Sequence, residues 1–308
     1  MSATSRRAVL AVLTAVLGLG LAARPSEAQE GDVPYVPTPL DVVRQMLRMA
    51  EVGPADTVYD LGSGDGRIVV TAAREFGARG VGVEIDPELV EEARENARQE
   101  GVEDRVRIVR GDLFETDVSP ATAVTLYLLQ SVNLKLRAPL LDQLRPGTPV
   151  VSHDFTMGEW EPDTVVHMSE HTADVYRWTV PADVSGRWRL IGPHGGSWEL
   201  RIRQRFQQIR GTARSGDSEV ELADARLHGD SVRFTLPGAE EGSGPLRLRG
   251  RAQGDAMEGV ASSGGGWSAT RTEKGEPWPE ESPWPSFGEQ QGIGDIEVEL
   301  SPADTSGG

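Results

Sequence analysis

Cysteine is absent from the 308 residues of this chain, and lysine occurs only at Lys135 and Lys274. Without cysteine the protein can form no disulfide framework, and a metal site built on thiolates is excluded. The five histidines are scattered, and none of them forms a spacing typical of a metal-binding helix. We therefore predict that the protein binds no metal ion.

Positive charge is also scarce. Lysine and arginine number 31 against 48 aspartates and glutamates, which gives a formal net charge of −17. Proteins that bind nucleic acid neutralise phosphates with basic patches. The composition therefore predicts that neither DNA nor RNA is the main partner.

One apolar run, Ala8 to Ala23, follows Ser5-Arg6-Arg7 near the start of the chain, and Ser26-Glu27-Ala28 offers a small-x-small cleavage site. This order predicts a signal peptide over residues 1–28, of the twin-arginine type, and hence an exported protein in the periplasm or outside the cell. The run is near the lower length limit for a membrane span. An uncleaved membrane anchor and a cytoplasmic location therefore remain as alternatives.

Glycine, by contrast, is abundant with 36 residues, and three glycines alternate with other residues in Val58-Tyr59-Asp60-Leu61-Gly62-Ser63-Gly64-Asp65-Gly66-Arg67. An apolar strand ends there in an acid, and glycines allow the sharp turn and close ligand approach that a phosphate- or nucleotide-type loop needs. The even spacing differs from the G-x-G-x-x-G pattern of dinucleotide sites. The carboxylates of Asp60 and Asp65 would repel a pyrophosphate and favour a cationic ligand.

The segment Asp60–Gly66 resembles the first motif of class I methyltransferases, the seven-stranded Rossmann-like group. The resemblance implies that S-adenosylmethionine, which carries a sulfonium and an ammonium but no phosphate, is the cofactor. It assigns cofactor contacts in this loop to Asp60, Gly62, Ser63, Gly64, Asp65 and Gly66.

Two later segments continue the resemblance in the expected order. Gly80-Val81-Gly82-Val83-Glu84 is predicted to be a buried strand, and Glu84 lies roughly 20 residues after the loop, where an acid accepts ribose hydroxyls. By resemblance, Asp112 accepts the adenine amino group, with Leu113 beside it. Asp112 is alternatively a turn residue after Gly111, and Asp86 before Pro87 is predicted to be a helix N-cap.

Alternating apolar and amphipathic segments predict an α/β fold: a Rossmann-like seven-stranded methyltransferase domain over residues 33–181. Its predicted helices cover residues 39–51, 66–77, 87–100 and 132–143, with Thr38 as the N-cap of the first. Its predicted strands cover 57–61, 80–84, 106–109, 122–127 and 148–152, followed by a closing hairpin at 164–168 and 173–180.

After Pro181 short alternating segments predict an accessory domain over residues 184–273, and Gly216-Asp217, Gly229-Asp230 and Gly254-Asp255 separate several of them. The predicted strand segments cover 187–190, 198–202, 206–213, 220–225, 232–234, 246–252 and 267–270. We expect an antiparallel all-β sandwich or barrel whose interior is filled by its own side chains. Residues 275–308, rich in proline, acid and glycine, are predicted to form a disordered tail.

The methyl acceptor is indicated less directly. The [DN]-P-P-[YF] motif of enzymes that methylate amide or adenine nitrogen is replaced after the fourth strand by Leu126–Asn133. Together with Pro37-Thr38-Pro39 and Val151-Ser152-His153-Asp154-Phe155, this segment is similar to the seven-strand protein-lysine methyltransferases. An amine nucleophile must lose a proton, and His153 and Asp154 are candidates to assist; they alternatively hydrogen-bond at a strand end. Tyr127 either lines the acceptor pocket or packs.

Three hypotheses follow. The first is an S-adenosylmethionine-dependent N-methyltransferase acting on a protein amine of the lysine type. The second keeps the cofactor but has a small-molecule or lipid-like acceptor. The third is an exported binding protein that retains the cofactor fold without turnover.

Overall fold

The computed structural model describes residues 36–237 and 244–275, all within a compact unit that begins at Val33. The predicted signal peptide and the tail after Gly275 lie outside the described residues. No helix in the two described ranges has both the length and the apolar character needed to cross a bilayer.

The first part is a seven-stranded sheet with helices, as the sequence predicts. Strand order is β3-β2-β1-β4-β5-β7-β6, and β7 runs antiparallel to both β5 and β6 while the other pairs are parallel. The elements are α1 (Leu40–Met49), β1 (Thr57–Leu61), α2 (Arg67–Phe76), β2 (Arg79–Glu84), α3 (Pro87–Gln99), β3 (Val106–Arg110), β4 (Ala123–Leu126), α4 (Gln130–Gln143), β5 (Pro149–His153), β6 (Thr164–Met168) and β7 (Ala173–Thr179).

Helix α1 packs on this sheet through one apolar face. Val42, Val43, Met46 and Leu47 are fully buried, because residues three and four apart share one side of a helix. The predicted N-cap is wrong by one residue: Pro39 occupies that position, and no side chain caps the helix. Thr38 instead faces the interior and is only 3% exposed.

The second part is a nine-stranded antiparallel sheet in the order β11-β10-β9-β8-β16-β15-β14-β13-β12. Its first and last strands along the chain, β8 and β16, pair with each other. β15 was not predicted, and one predicted segment, 220–225, spans the junction of β11 and β12. The strands are β8 (Gly186–Ile191), β9 (Ser197–Arg205), β10 (Gln208–Ser215), β11 (Ser218–Glu221), β12 (Ala223–His228), β13 (Ser231–Leu236), β14 (Leu246–Gln253), β15 (Ala256–Ala261) and β16 (Gly266–Lys274).

The connection between β11 and β12 shows that this sheet curls into a nearly closed barrel. The two strands occupy opposite ends of the sheet order, yet only Leu222 separates them. If the sheet were flat, the eight spacings between β11 and β12, at about 4.8 Å each, would place these two strands about 38 Å apart. The chain from Glu221 to Ala223 spans at most about 7 Å. Since all pairs are antiparallel, β11 and β12 run in the same direction and form one bent strand. The barrel prediction is confirmed over the sandwich.

The barrel interior is filled by its own side chains, as predicted. Burial alternates along β8, β9 and β14, and the inward residues form a single apolar cluster around Trp188, Phe234 and Trp267. A barrel of about eight strands is just wide enough for such filling. The three Gly-Asp pairs lie in turns, where each glycine has a left-handed φ between 55° and 57°.

Candidate active site

The glycine loop after β1 is fastened to β2 and α3. The amides of Gly62 and Ser63 both donate to the carbonyl of Val83 at 2.9 Å. Gly62, Gly64 and Gly66 all have left-handed φ angles, of 78°, 54° and 76°. A Cβ on Gly66 would lie 2.9 Å from the Cβ of Ala93, so glycine is required there both by conformation and by the approach of α3.

Glu84, at the end of β2, holds this loop with its carboxylate. Oε2 accepts from the amide of Gly64 at 2.8 Å, and Oε1 accepts from the amides of Ile85 at 2.8 Å and Asp86 at 3.0 Å. A carboxylate has about four acceptor positions, so roughly one remains for a ligand hydroxyl. Glu84 therefore organises the loop as well as facing the predicted ribose position.

Asp60 is the most deeply buried of the three acids in this loop region, at 2% exposed against 8% for both Asp65 and Glu84. The hydroxyl of Thr125 donates to its Oδ1 at 2.8 Å. Burial raises the pKa of Asp60 to about 7; the Thr125 hydrogen bond opposes this, and the charges of Asp65 and Glu84 add to it. A cation nearby would favour the ionised form, so Asp60 suits the cationic end of the predicted cofactor.

Asp65 has a different role from the one its charge suggests. Arg67 binds its carboxylate through Nε to Oδ1 at 3.0 Å and Nη2 to Oδ2 at 2.7 Å. The same guanidinium donates from Nη1 to the carbonyl of Thr38 at 3.0 Å. Because Arg67 compensates the charge of Asp65, the attraction of a cationic ligand depends mainly on Asp60.

Polar atoms without protein partners fit a nucleoside-bearing cofactor here. In the described ranges, the buried Oγ of Ser63 has no hydrogen bond. Asp112, after β3, accepts the amide of Phe114 at 2.8 Å through Oδ1, so the turn role is realised. Its Oδ2 shows no bond to a described residue, and Leu113 beside it is half-buried. Native proteins rarely leave a buried hydroxyl such as that of Ser63 unsatisfied, whereas the carboxylate of half-buried Asp112 is within reach of solvent.

An aromatic cluster lies where β4 and β5 end. The rings of Tyr127 and His153 stack with centroids 4.0 Å apart, and Phe155 lies 6.3 Å from Tyr127. Burial raises the pKa of Tyr127, with Asp154 adding to the effect. Burial lowers the pKa of His153, only partly opposed by Asp154, so this imidazole is neutral at pH 7.

Both nitrogens of His153 face protein groups. Nδ1 lies 3.4 Å from Oγ1 of Thr38, and Nε2 lies 3.4 Å from Oδ2 of Asp154. Asp154 has a left-handed φ of 61°, and two hydrogen bonds to Asp174 hold it there. The amide of Asp154 donates to the carbonyl of Asp174 at 2.7 Å, and Oδ1 of Asp154 accepts from the amide of Asp174 at 2.9 Å. The strand-end hydrogen bonding considered from sequence is therefore present, and Oδ2 still faces the cluster.

Four residues of this region were not assigned to the site from sequence: Thr38, Arg67, Thr125 and Asn133. Asn133 is fully buried in the first turn of α4 and donates to Oγ of Ser152 at 3.2 Å and to the carbonyl of Phe155 at 3.1 Å. Its Oδ1 has no partner among the described residues. The available signal was a polar residue on the apolar face of a predicted helix.

One group in the described ranges has a metal-like arrangement. Asp41, Glu170 and His171 place possible ligand atoms within 4.8 Å of one another. Nε2 of His171 lies 2.6 Å from Oδ2 of Asp41, so the contact is accounted for as a partly exposed hydrogen bond between α1 and the β6–β7 turn. The absence of a metal stays a prediction.

The seven-stranded sheet, with its last strand antiparallel and an acid-glycine loop followed by acids at the ends of β2 and β3, defines a class I S-adenosylmethionine-dependent methyltransferase. S-adenosylmethionine is its cofactor. This confirms the fold and enzyme class predicted from sequence, whereas the individual site assignments stay predictions.

Comparisons with known proteins agree. The family described as the ANTKMT methyltransferase domain matches residues 60–164. A "Protein-lysine N-methyltransferase" of Saccharolobus islandicus (strain REY15A) is 49% identical over 149 residues, 47% of this chain and 92% of that protein. The "Adenine nucleotide translocase lysine N-methyltransferase" of Mus musculus is 38% identical over 135 residues, 44% of this chain and 58% of that protein.

A solved structure described as an RNA methyltransferase from Salinibacter ruber in complex with S-adenosyl-L-homocysteine is 61% identical, covers 48% of this chain and 96% of that one, and has a TM-score of 0.47. The archaeal relative is matched over nearly its whole length. The chain therefore belongs to the same family of class I methyltransferases as the protein-lysine N-methyltransferase of Saccharolobus islandicus.

Proposed function

We propose that this protein transfers a methyl group from S-adenosylmethionine to the side-chain amine of a lysine in a protein. The observation that carries the proposal is the 49% identity to an archaeal protein-lysine N-methyltransferase over 92% of that protein. The aromatic cluster after β4 and β5 supports it, because aromatic faces attract an ammonium group.

When bound, S-adenosylmethionine supplies the electrophilic methyl group. We assign its binding to Asp60, Gly62, Ser63, Gly64, Asp65, Gly66, Glu84, Asp112 and Leu113. Asp60 balances positive charge, Glu84 and Asp112 offer acceptors to the sugar and base, and the glycines permit close approach. Asp65 acts through Arg67, which keeps the loop in shape.

On the acceptor side, Tyr127 and Phe155 receive the aliphatic end of lysine and its ammonium. Asp154 attracts the ammonium and accepts its proton, because Oδ2 is the carboxylate oxygen not bound by the Asp174 amide. His153 is buried, neutral and contacted at both nitrogens, which makes it a support for the Tyr127 ring. The protein thus orients the amine and excludes water.

The proposal includes export by residues 1–28, so that the acceptor is an exported or surface protein. Twin-arginine export moves folded proteins, and a bound cofactor would travel with the enzyme. Cell fractionation of a C-terminally tagged chain tests this part: tag confined to the cytoplasm contradicts export, and tag in membranes indicates an uncleaved anchor.

The activity itself is tested with S-adenosylmethionine labelled in its methyl group, added with the protein to lysate of the source cells. After separation into protein, lipid, small-molecule and nucleic-acid fractions, we expect label in protein and methyl-lysine after acid hydrolysis. Asp154→Asn should lower labelling by about 10- to 100-fold while leaving cofactor affinity nearly unchanged.

Other outcomes decide the remaining hypotheses. Label in the lipid or small-molecule fraction would replace lysine by the second acceptor class, and label in nucleic acid would contradict both. Cofactor binding by calorimetry without transfer to any fraction would favour a binding protein. Equal binding by the wild type and Gly64→Val would refute the cofactor site.

A further inference from the structure

Thr38 lies between the two halves of the site. Its carbonyl accepts from Nη1 of Arg67 at 3.0 Å, and Arg67 in turn holds Asp65 of the glycine loop. Its hydroxyl lies 3.4 Å from Nδ1 of His153, on the acceptor side. The residue is 3% exposed, so neither contact is shared with bulk water.

We propose that Thr38 is a positioning residue for methyl transfer: its hydroxyl fixes the tautomer of His153, and its backbone couples the cofactor loop to the acceptor site. The proposal rests on the proposed function for the catalytic readout, but its structural part does not depend on the acceptor.

The tautomer follows from donor chemistry. The hydroxyl of Thr38 has one proton to donate, and the carboxylate of Asp154 can only accept. Both contacts with a neutral imidazole are satisfied when Nδ1 accepts from Thr38 and Nε2–H donates toward Oδ2 of Asp154. The opposite tautomer would set the lone pair of Nε2 against the carboxylate. Which nitrogen bears the proton is thus set by the neighbours of the ring.

The orientation of the His153 ring affects the positions of Asp154 and Tyr127, which face the acceptor amine. With Nε2–H directed at Asp154, the ring keeps its stacked position on Tyr127, with the ring centroids 4.0 Å apart and the ring planes 29° from parallel. Loss of the Thr38 hydroxyl would free the ring to exchange tautomers and would disturb both Asp154 and Tyr127. A displacement of the reacting groups by a fraction of an ångström is enough to slow an in-line transfer.

The test compares Thr38→Val, which keeps the shape and removes the hydroxyl, with Thr38→Ser, which keeps the hydroxyl. Thr179→Val is the matched control, since Thr179 is buried at the other end of the sheet and its hydroxyl has no partner among the described residues. We expect Thr38→Val to lower kcat by at least about tenfold with KM for S-adenosylmethionine changed less than about threefold. Thr38→Ser and Thr179→Val should stay near wild type.

A second readout needs no acceptor. Ring ¹⁵N shifts of His153, assigned with His153→Gln, should report the Nε2–H form in the wild type and in Thr38→Ser, and a mixture of tautomers in Thr38→Val. The same tautomer in all three would overturn the proposal. If the tautomer changes as expected but no lysine is methylated, the positioning role stands and the proposed acceptor fails.

The backbone half is tested by a double-mutant cycle with Arg67→Lys, which keeps the charge but loses the planar fork. If Arg67 acts on transfer through Thr38, the loss of kcat in Arg67→Lys/Thr38→Val will be smaller than the product of the single losses. Losses that simply multiply would show that the two contacts act independently and would refute the coupling.

Discussion

At the scale of single residues, Asp60 illustrates how burial prepares a ligand site. A carboxyl group that titrates near 7 is partly protonated at neutral pH, which removes much of the cost of burying its charge in the ligand-free protein. A cationic ligand restores the ionised form. Binding of S-adenosylmethionine should therefore release a proton from Asp60.

The affinity of the protein for S-adenosylmethionine should therefore depend on pH. Affinity for S-adenosylmethionine should rise as pH increases through about 7, approaching tenfold per pH unit below the pKa. Calorimetry in two buffers of different ionisation enthalpy measures the released proton. Asp60→Asn, of the same shape, should abolish both effects, and an unchanged pH profile in that variant would contradict the assignment.

The same shift predicts the stability of the ligand-free protein. The pKa of Asp60 is higher in the folded protein than in the unfolded chain. Its contribution to the free energy of unfolding is therefore fully present below about pH 3.8 and is lost as the pH rises to about 7. The Tm of the wild type relative to that of Asp60→Asn should therefore fall as the pH is raised from 5 to 8.

At the scale of elements, the side chain of Arg271 on β16 links two loops of the barrel. Its side chain is 4% exposed, lies 4.5 Å over the ring of Trp188, and pairs with Asp183 at 3.1 Å and Asp255 at 3.0 Å. It also donates to the carbonyls of Ser185 and Gly254. One guanidinium thus joins the chain entering the barrel to the β14–β15 turn.

Removing that guanidinium should leave two carboxylates and several carbonyls without their donor. We expect Arg271→Ala to reduce the free energy of unfolding by about 2 kcal/mol, because the Trp188 ring and the carbonyls of Ser185 and Gly254 lose the guanidinium. The carboxylates of Asp183 and Asp255 are exposed and are hydrated when it is removed. Arg187→Ala on neighbouring β8 removes exposed pairs with Glu199 and Glu273 and should cost less than about 1 kcal/mol. Urea titration followed by tryptophan fluorescence compares them; equal losses would show that the buried cluster adds no stability.

At the scale of the whole molecule, the barrel packs against the methyltransferase sheet around Phe206. This residue, at the β9–β10 turn, has its ring 6.0 Å from that of Trp160 and 5.3 Å from the guanidinium of Arg137. Nearby, the amide of Ala182 donates to the carbonyl of Gly229 at 2.8 Å, and Glu159 pairs with Arg205. The two sheets therefore share an apolar contact with a polar border.

If this contact couples the two parts, Phe206→Ala should weaken it by about 3 kcal/mol. We expect the wild type to unfold in one thermal transition in calorimetry and Phe206→Ala to unfold in two. Ile191→Ala, an exposed aliphatic on the barrel surface, should leave one transition. A single transition in both variants would show that Phe206 does not couple the two parts.

Sequence patterns alone predicted the succession of strands and helices along the first part of the chain, the glycine loop and the acids at the ends of β1, β2 and β3. These depend on local periodicity and on backbone conformations that only glycine adopts readily, so they are readable without neighbours in space. The antiparallel character of the second part and its Gly-Asp turns were readable for the same reason.

Contacts between residues distant in sequence are visible only in the folded structure. Arg67 donates to the carbonyl of Thr38, Glu84 binds the glycine loop, and Thr38 faces His153 across 115 residues. In the second part β8 pairs with β16, and the β11–β12 connection joins the two ends of the sheet. Burial raises the pKa of Asp60 and lowers that of His153. Spacing along the chain carries no record of such contacts, because desolvation and charge pairing arise only when folding brings the groups together.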